Sequence, residues 1–389
     1  MRIVYLCSDL GIPVGGRKGA SAHVSGLVRA FRTLGHDVQV VASKVEEDIG
    51  APLRLLRVPE IVETVKSRGD LRVARALGHL WNNVAVEEAL RDVLSEGRAD
   101  MLYERYSPFG MAGSLIAPRF GIPHVLEVNA PLAWEGKEYR KQALDEAAFF
   151  IERAALDAAS LVLAVSRELE EALVSAGADP SKVRVLPNGV DIDLFRPDGA
   201  SRRGGLDGKI VVGFVGSLKR WHGIDVLAAA FRKVASDPRL HLLVLGSGPV
   251  AKEIDQLAFE LPGRVTRVEA VPHQAVPEYL RAMDLAVAPY PALERFYFSP
   301  LKVLEYMAAG RAIIAARIGQ VSDLLRHEET GILIEPGDPD ALGAAIERLV
   351  ADEDLRATLG RAASVEARRA HPWTERAARI VELARGIAS

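Results

Sequence analysis

The chain of 389 residues has one cysteine, Cys7. A single thiol excludes an intramolecular disulfide framework, and its apolar neighbours make it a small buried hydrophobe. No apolar run reaches the roughly 20 residues needed to cross a bilayer. The start, Arg2-Ile3-Val4-Tyr5-Leu6-Cys7, reads as a short strand followed by polar and glycine residues, not as a signal peptide. The chain is therefore expected to be cytoplasmic, with any membrane contact peripheral, at the inner face. Charge of one sign is also missing: the net value of −3 leaves no global basic field to attract nucleic acid. No GxSxG surrounds Ser166, so that serine reads as a helix cap, not a nucleophile. No acidic cluster has metal-ligand spacing, which leaves no metal site to expect. The first glycine-rich loop, Gly15-Gly16-Arg17-Lys18-Gly19, lacks the spacing of a dinucleotide fingerprint.

What is present is a repeated alternation. Hydrophobic content of 49% and charge of 26% describe a globular chain, and its length calls for two domains. Strand signals at Arg2–Cys7, Val38–Ala42, 101–103, 123–128, 161–165 and 183–186 alternate with helical patterns, the longest from Glu135 to Ala159. Another helical pattern runs from Ile61 to Leu94. Lys66, Arg68, Arg72, Arg75 and His79 make part of it basic, and it reads as a solvated face over a core stripe in preference to an acceptor or membrane-surface helix. Proline, glycine and charge from Arg196 to Gly205 mark a linker. The alternation then restarts with strands at 210–215, 240–245, 265–268, 285–288 and 312–315, and the chain is helical from about residue 335 to its end with a break at His371-Pro372-Trp373. Alternation of this kind predicts doubly wound parallel sheets. The expected division is residues 1–197 and 206–371, with the final helix, 372–389, packing back on the first domain. Two such α/β domains, Rossmann-like and facing each other across a cleft, would hold ligand in that cleft.

The stretch Phe298-Ser299-Pro300-Leu301-Lys302-Val303-Leu304-Glu305-Tyr306-Met307-Ala308-Ala309-Gly310 carries the most chemistry. Ser299 can cap, Pro300 suits a first helical turn and Gly310 stops the helix. A helix opening past a strand's carboxyl end offers unpaired N–H groups to an anion, here those of Leu301 and Lys302, and Lys302 adds a charge. Glu305 lies three residues on, on the same face. Amides and ammonium for phosphate, with a carboxylate for adjacent hydroxyls, suit a nucleotide's phosphates and ribose; a core helix with a surface Lys302–Glu305 ion pair is the plainer alternative. Lys219, Arg220 and Gly246 lie on loops that a parallel sheet would aim at the same place. Gly246-Ser247-Gly248-Pro249-Val250-Ala251 also fits a loose GxGxxA pattern, with Glu269 further on, which is the competing signal for a dinucleotide.

The order of these motifs resembles the retaining glycosyltransferases of family 4, which have the two-domain GT-B architecture. The resemblance covers nearly the whole chain: the glycine loop before Gly35-His36-Asp37-Val38, the Val165-Ser166 strand end, Pro187-Asn188-Gly189-Val190-Asp191, Gly216–Gly223, Leu245–Pro249, Val271-Pro272-His273 and Pro289–Gly310. It implies a nucleotide-diphosphate sugar donor such as a UDP-sugar, with no cofactor or metal. Glu305 matches the second glutamate of the family's E-x7-E motif, on the ribose. Leu301 and Lys302, after Ser299, match residues whose amides meet the diphosphate. Val271 matches the contact to the base, and Gly19 the first-domain glycine beside the phosphate. Asn129 stands where many members carry a histidine near the donor sugar. Three departures follow. Tyr297 replaces the first motif glutamate, a gap that Glu294 could fill from the same loop. Ser217 and His222 replace the arginine and lysine that commonly flank the diphosphate, leaving Lys219, Arg220 and Lys302 to restore the charge. Asn129 cannot act as a base, so no catalytic side chain is assigned. The implied reaction is hexosyl transfer to an acceptor hydroxyl on a glycan, lipid-linked sugar or small molecule, in polysaccharide or glycoconjugate biosynthesis. A sugar-nucleotide epimerase or a phosphorylase on the same fold is the alternative.

Overall fold

A computed structural model describes residues 1–56 and 71–388. Lys66 and Arg68 of the basic stretch lie outside the described residues. The chain forms two compact units. One comprises Met1–Pro187, Tyr297–Ser299 and Trp373–Ser389; the other comprises Asn188–Phe296 and Pro300–Pro372.

The first unit is built on strands β1 (Arg2–Cys7), β2 (Asp37–Ala42), β3 (Leu53–Leu55), β4 (Met101–Arg105), β5 (His124–Val128), β6 (Leu161–Ala164) and β7 (Val183–Val185). Their order is β3-β2-β1-β4-β5-β6-β7, and every pairing is parallel. β1, β4, β5 and β6 are buried almost throughout, as strands covered on both faces must be. The strand order reverses between β1 and β4, where Ile3 pairs with Met101. Ser166 caps the helix Arg167–Ser175 by accepting from the Leu169 N–H at 3.1 Å. The helical pattern read as continuous from Glu135 to Ala159 is two helices, Leu132–Arg140 and Asp145–Ala158. Lys141 and Leu144 adopt φ of 46° and 63° and turn the chain between them, a left-handed excursion that apolar periodicity does not report. The final helix, Trp373–Ala388, begins with the Trp373 ring stacked on His23 at 4.8 Å and 7°.

The second unit holds β8 (Ile210–Val215), β9 (Leu240–Leu245), β10 (Val265–Val268), β11 (Leu285–Ala288), β12 (Ala312–Ala316) and β13 (Ile332–Ile334). Their order is β10-β9-β8-β11-β12-β13, again parallel, and it reverses between β8 and β11. Open sheets of this kind bind ligands past the strands' carboxyl ends at that reversal. The core there includes Phe214, Leu218, Leu227, Phe231 and Leu242. The chain enters this unit at Asn188, ahead of the stretch 196–205 read as a linker. The intervening residues are held by it: Val190 N–H donates to His371 O at 2.8 Å, and the Arg203 guanidinium pairs with Asp284 at 2.9 Å. Polar composition alone does not reveal such anchoring.

Candidate functional site

Two segments flank the reversal of the second sheet. β8 ends at Val215 and continues into Gly216; β11 ends at Ala288 and leads through an irregular stretch to the helix Leu301–Ala308. Tyr306 of that helix locks the two together: its hydroxyl accepts from Val215 N–H at 2.8 Å and donates to Val215 O at 3.3 Å. The helix does not start as the sequence suggested. Pro300 occupies the capping position with φ −79° and ψ 92°, no side chain caps it, and Ser299 lies one residue outside. The helix begins one residue later than the sequence suggests, at Leu301, which puts Ser299 outside the capping position. Val303 N–H is used by Pro300 O at 3.0 Å; the N–H groups of Leu301 and Lys302 lie in the first turn, where an α-helix supplies no partner of its own.

Lys302 is the unusual residue. Its Nζ is buried, has no hydrogen-bond partner, and lies 4.1 Å from the Phe214 ring centroid and 5.5 Å from that of Tyr290. Burial pushes the ammonium down to about 7, which the charge of Glu305 only partly offsets. The loop from β8 comes equally close: a Cβ on Gly216 would sit 3.0 Å from Lys302 Nζ. Gly246, at the end of β9, takes φ 152°, and a Cβ there would meet Gly216 O at 1.9 Å. These glycines let two strand ends crowd around one lysine.

His222 completes the wall, with its ring 6.0 Å from that of Tyr290. Its Nδ1–H donates to Ser217 O at 2.5 Å, so Nε2 carries the lone pair. Burial, then the Lys302 charge, push it down to about 3, and it stays neutral across the physiological range. Glu305 does not pair with Lys302 on the surface. Its Oε1 lies 2.8 Å from His273 Nε2, two residues after Val271. Lys219 Nζ lies over the Trp221 ring at 4.6 Å, and Arg220 is exposed. Glu269 accepts from both Ser247 and Arg267, so its carboxylate is already engaged.

The remaining sequence candidates belong to the first unit or to open loop. Gly19 opens the helix Gly19–Thr33 and is exposed; Glu294 is exposed on the stretch after β11. Asn129 follows β5 next to a buried cluster that motif reading did not assemble. Arg105 Nη1 donates to His23 Nδ1 at 2.7 Å, and His23 Nε2 lies 2.9 Å from Glu127 Oε1. Burial holds His23 well below and Glu127 above their ordinary ranges. The only local sign of this cluster was a charged residue at the end of each apolar strand. Tyr297 and Ser299 pack with the first unit, and the Tyr297 hydroxyl donates to Glu135 Oε1 at 2.6 Å.

In the second unit a buried lysine, close-packed glycines and a helix N-terminus meet at the strand ends, an arrangement suited to a polyanion. Protonation of the lysine has a measurable consequence. An anion held at Lys302 would require its protonated form, so above about pH 7 such binding would draw in a proton. Affinity for a nucleotide-diphosphate sugar is expected to fall by up to about tenfold per pH unit above 7, measured by calorimetry. A flat profile between about pH 7 and 9 would remove Lys302 from the binding event. The ligand-free fold moves the opposite way. A base with a folded pKa below its unfolded value costs stability at and below that folded pKa, and the cost is relieved as pH rises from about 7 toward about 10.4.

Among known proteins, residues 17–194 match the family described as Glycosyltransferase Family 4 and residues 209–352 that described as Glycosyl transferases group 1. The chain is 30% identical over 397 residues to the D-inositol 3-phosphate glycosyltransferase of Acidothermus cellulolyticus, covering 94% of this chain and 85% of that one. It is 27% identical over 308 residues to the alpha-maltose-1-phosphate synthase of Mycolicibacterium smegmatis, covering 72% and 77%. Solved structures with the same fold include sucrose-phosphate synthase from Thermosynechococcus elongatus, at TM-score 0.77 and 25% identity over 99% of this chain and 98% of that one. They also include Anabaena HepE in complex with UDP, at TM-score 0.75 and 20% identity over 99% and 100%.

Proposed function

The chain belongs to glycosyltransferase family 4, and from that premise we propose that it moves a hexosyl group from a UDP-sugar to an acceptor hydroxyl with retention at the anomeric carbon. The observation that carries this reading is the buried, unpartnered Lys302 ammonium at the mouth of the Leu301–Ala308 helix. A buried cation whose neighbouring carboxylate, Glu305, only partly offsets its desolvation is costly unless a ligand supplies the charge. A diphosphate supplies it. As the bond from the anomeric carbon to the phosphate oxygen breaks, negative charge grows on the leaving diphosphate. Lys302 and the first-turn N–H groups are set to stabilise that charge where it develops. The new bond from the anomeric carbon to the acceptor oxygen forms on the same face, and the acceptor proton passes to the departing phosphate oxygen. This route uses no protein nucleophile and no metal. Neutral His222 adds no second positive charge beside Lys302 before the donor arrives. A UDP donor is favoured by the likeness to HepE, whose structures are described with UDP and UDP-glucose. The acceptor is read as a hydroxyl of a glycan, a lipid-linked sugar or a small polyol.

In this reading the Glu305 carboxylate, held through one oxygen by His273, offers the other to the ribose hydroxyls. Glu305→Ala is expected to weaken UDP binding about tenfold to hundredfold and to abolish any preference for UDP over 2′-deoxy-UDP, with the fold intact by circular dichroism. A variant that still discriminates the two nucleotides would remove Glu305 from the ribose.

A further inference from the structure

We propose that Glu135, presented by Tyr297 and flanked by Trp134, forms a subsite for the hydroxyls of a pyranose ring within the first unit. The inference rests on the reading of the reaction as sugar transfer, and it names a contact that neither the motifs nor the relatives assign.

The helix Leu132–Arg140 carries Trp134, Glu135, Tyr139 and Arg140 in little more than two turns. Its start is held by Glu152, whose Oε2 accepts from Ala133 N–H at 3.0 Å. The Glu135 carboxylate is 11% exposed and bound on both oxygens: Tyr297 hydroxyl to Oε1 at 2.6 Å, and Arg140 Nη2 to Oε2 at 2.6 Å. A carboxylate has about four acceptor sites, so these two bonds orient it without saturating it. Tyr297 stays protonated and donates to Glu135, because burial and then the Glu135 charge push its phenol far above the ordinary range. Aromatic rings form the adjoining surface. Trp134 stands edge-on to Tyr297 at 6.1 Å and to Tyr139 at 5.2 Å. Tyr139 and Arg140 are exposed, at 62% and 53%, so the group reaches solvent.

An oriented carboxylate beside an aromatic face is what a sugar ring requires. Its hydroxyls need a strong acceptor and its C–H face needs an apolar surface. The arrangement also accounts for the residue at position 297. A glutamate there would place a second negative charge against Glu135. A tyrosine instead donates to Glu135, and the carboxylate that the resemblance places at 297 is supplied from the helix Leu132–Arg140. Glu294, the candidate for that role from the same loop, is exposed.

The sugar could be that of the donor or that of the acceptor, and one experiment separates the two. Glu135→Gln keeps shape and hydrogen bonding but removes the charge. Its affinities for UDP and UDP-glucose are compared with those of the unaltered chain by calorimetry. Binding of glucose to the UDP-saturated protein is followed by saturation-transfer NMR. Unchanged UDP affinity with a loss of about tenfold or more for UDP-glucose assigns the subsite to the donor sugar. An unchanged UDP-glucose affinity with loss of the glucose signal assigns it to the acceptor. Tyr297→Phe, which keeps the carboxylate but frees it to swing, is expected to show the same pattern more weakly, and it carries the test should Glu135→Gln not fold. Folded variants that match the unaltered chain in both readouts overturn the proposal. Failure of UDP to bind the unaltered chain would instead sink the donor reading, while the glucose signal still reports on Glu135.

Discussion

Lys302→Ala is expected to lower affinity for UDP and for UDP-glucose about a hundredfold, while the melting temperature of the ligand-free chain stays level or rises. The two halves of that result have one cause. The ammonium is buried against Phe214 and Tyr290 with no hydrogen-bond partner, so the empty protein bears a desolvation cost that the two rings and the Glu305 charge only partly offset. Removing it relieves the empty state. In the liganded state the same group would make a charge-assisted bond to phosphate, worth about 1.5–3 kcal/mol and thus about one to two decades in affinity at about 1.4 kcal/mol per decade. Lys302→Met, which retains bulk between the two rings, separates loss of charge from loss of packing. It should reproduce the affinity loss and exceed the alanine variant in stability. A large fall in melting temperature for Lys302→Met, with UDP affinity preserved, would mean that the lysine is structural and that the anion sits elsewhere.

The second large effect is expected for Gly246→Ala. Gly246 ends β9 with φ 152°, a region that L side chains rarely enter, and the added Cβ would lie 1.9 Å from Gly216 O. Neither atom belongs to a flexible side-chain end, so the backbone of one loop has to move. We expect a loss of about 3 kcal/mol or more in stability, read by urea denaturation, together with loss of UDP binding. The second loss follows because Gly216 is the residue packed on Lys302 Nζ. Gly386→Ala is the control. That glycine lies in the final helix with nothing near its Cβ position, and alanine there should stabilise by about 1 kcal/mol or less. Equal behaviour of the two variants would contradict the packing described at the strand ends.

How much of this was visible in the residues differs from element to element. The helix Leu301–Ala308 was legible because it is bounded by local signals, Pro300 before it and Gly310 after it. Ser299 misled, because the helix begins at Leu301 and leaves Pro300 in the capping position. The break at Lys141 and Leu144 was missed because no glycine or proline marks it, although both residues take positive φ. The cluster of His23, Arg105 and Glu127 joins three elements of the first unit. Each residue taken alone looked like an ordinary strand end or a helix position.

The order of residues alone determined the two α/β repeats, the parallel sheets and the stretch that bears Lys302 and Glu305. Those features follow from periodicity and from turn chemistry a few residues long, and both are properties of neighbours in the chain. The tertiary structure alone decided that Lys302 is buried without a partner on rings at positions 214 and 290. It also decided that Glu305 pairs with His273, and that Tyr297 donates to Glu135, 162 residues away. A hydrogen bond or a desolvated charge depends on which atoms meet in space, and chain spacing carries no record of that once the separation exceeds a few turns.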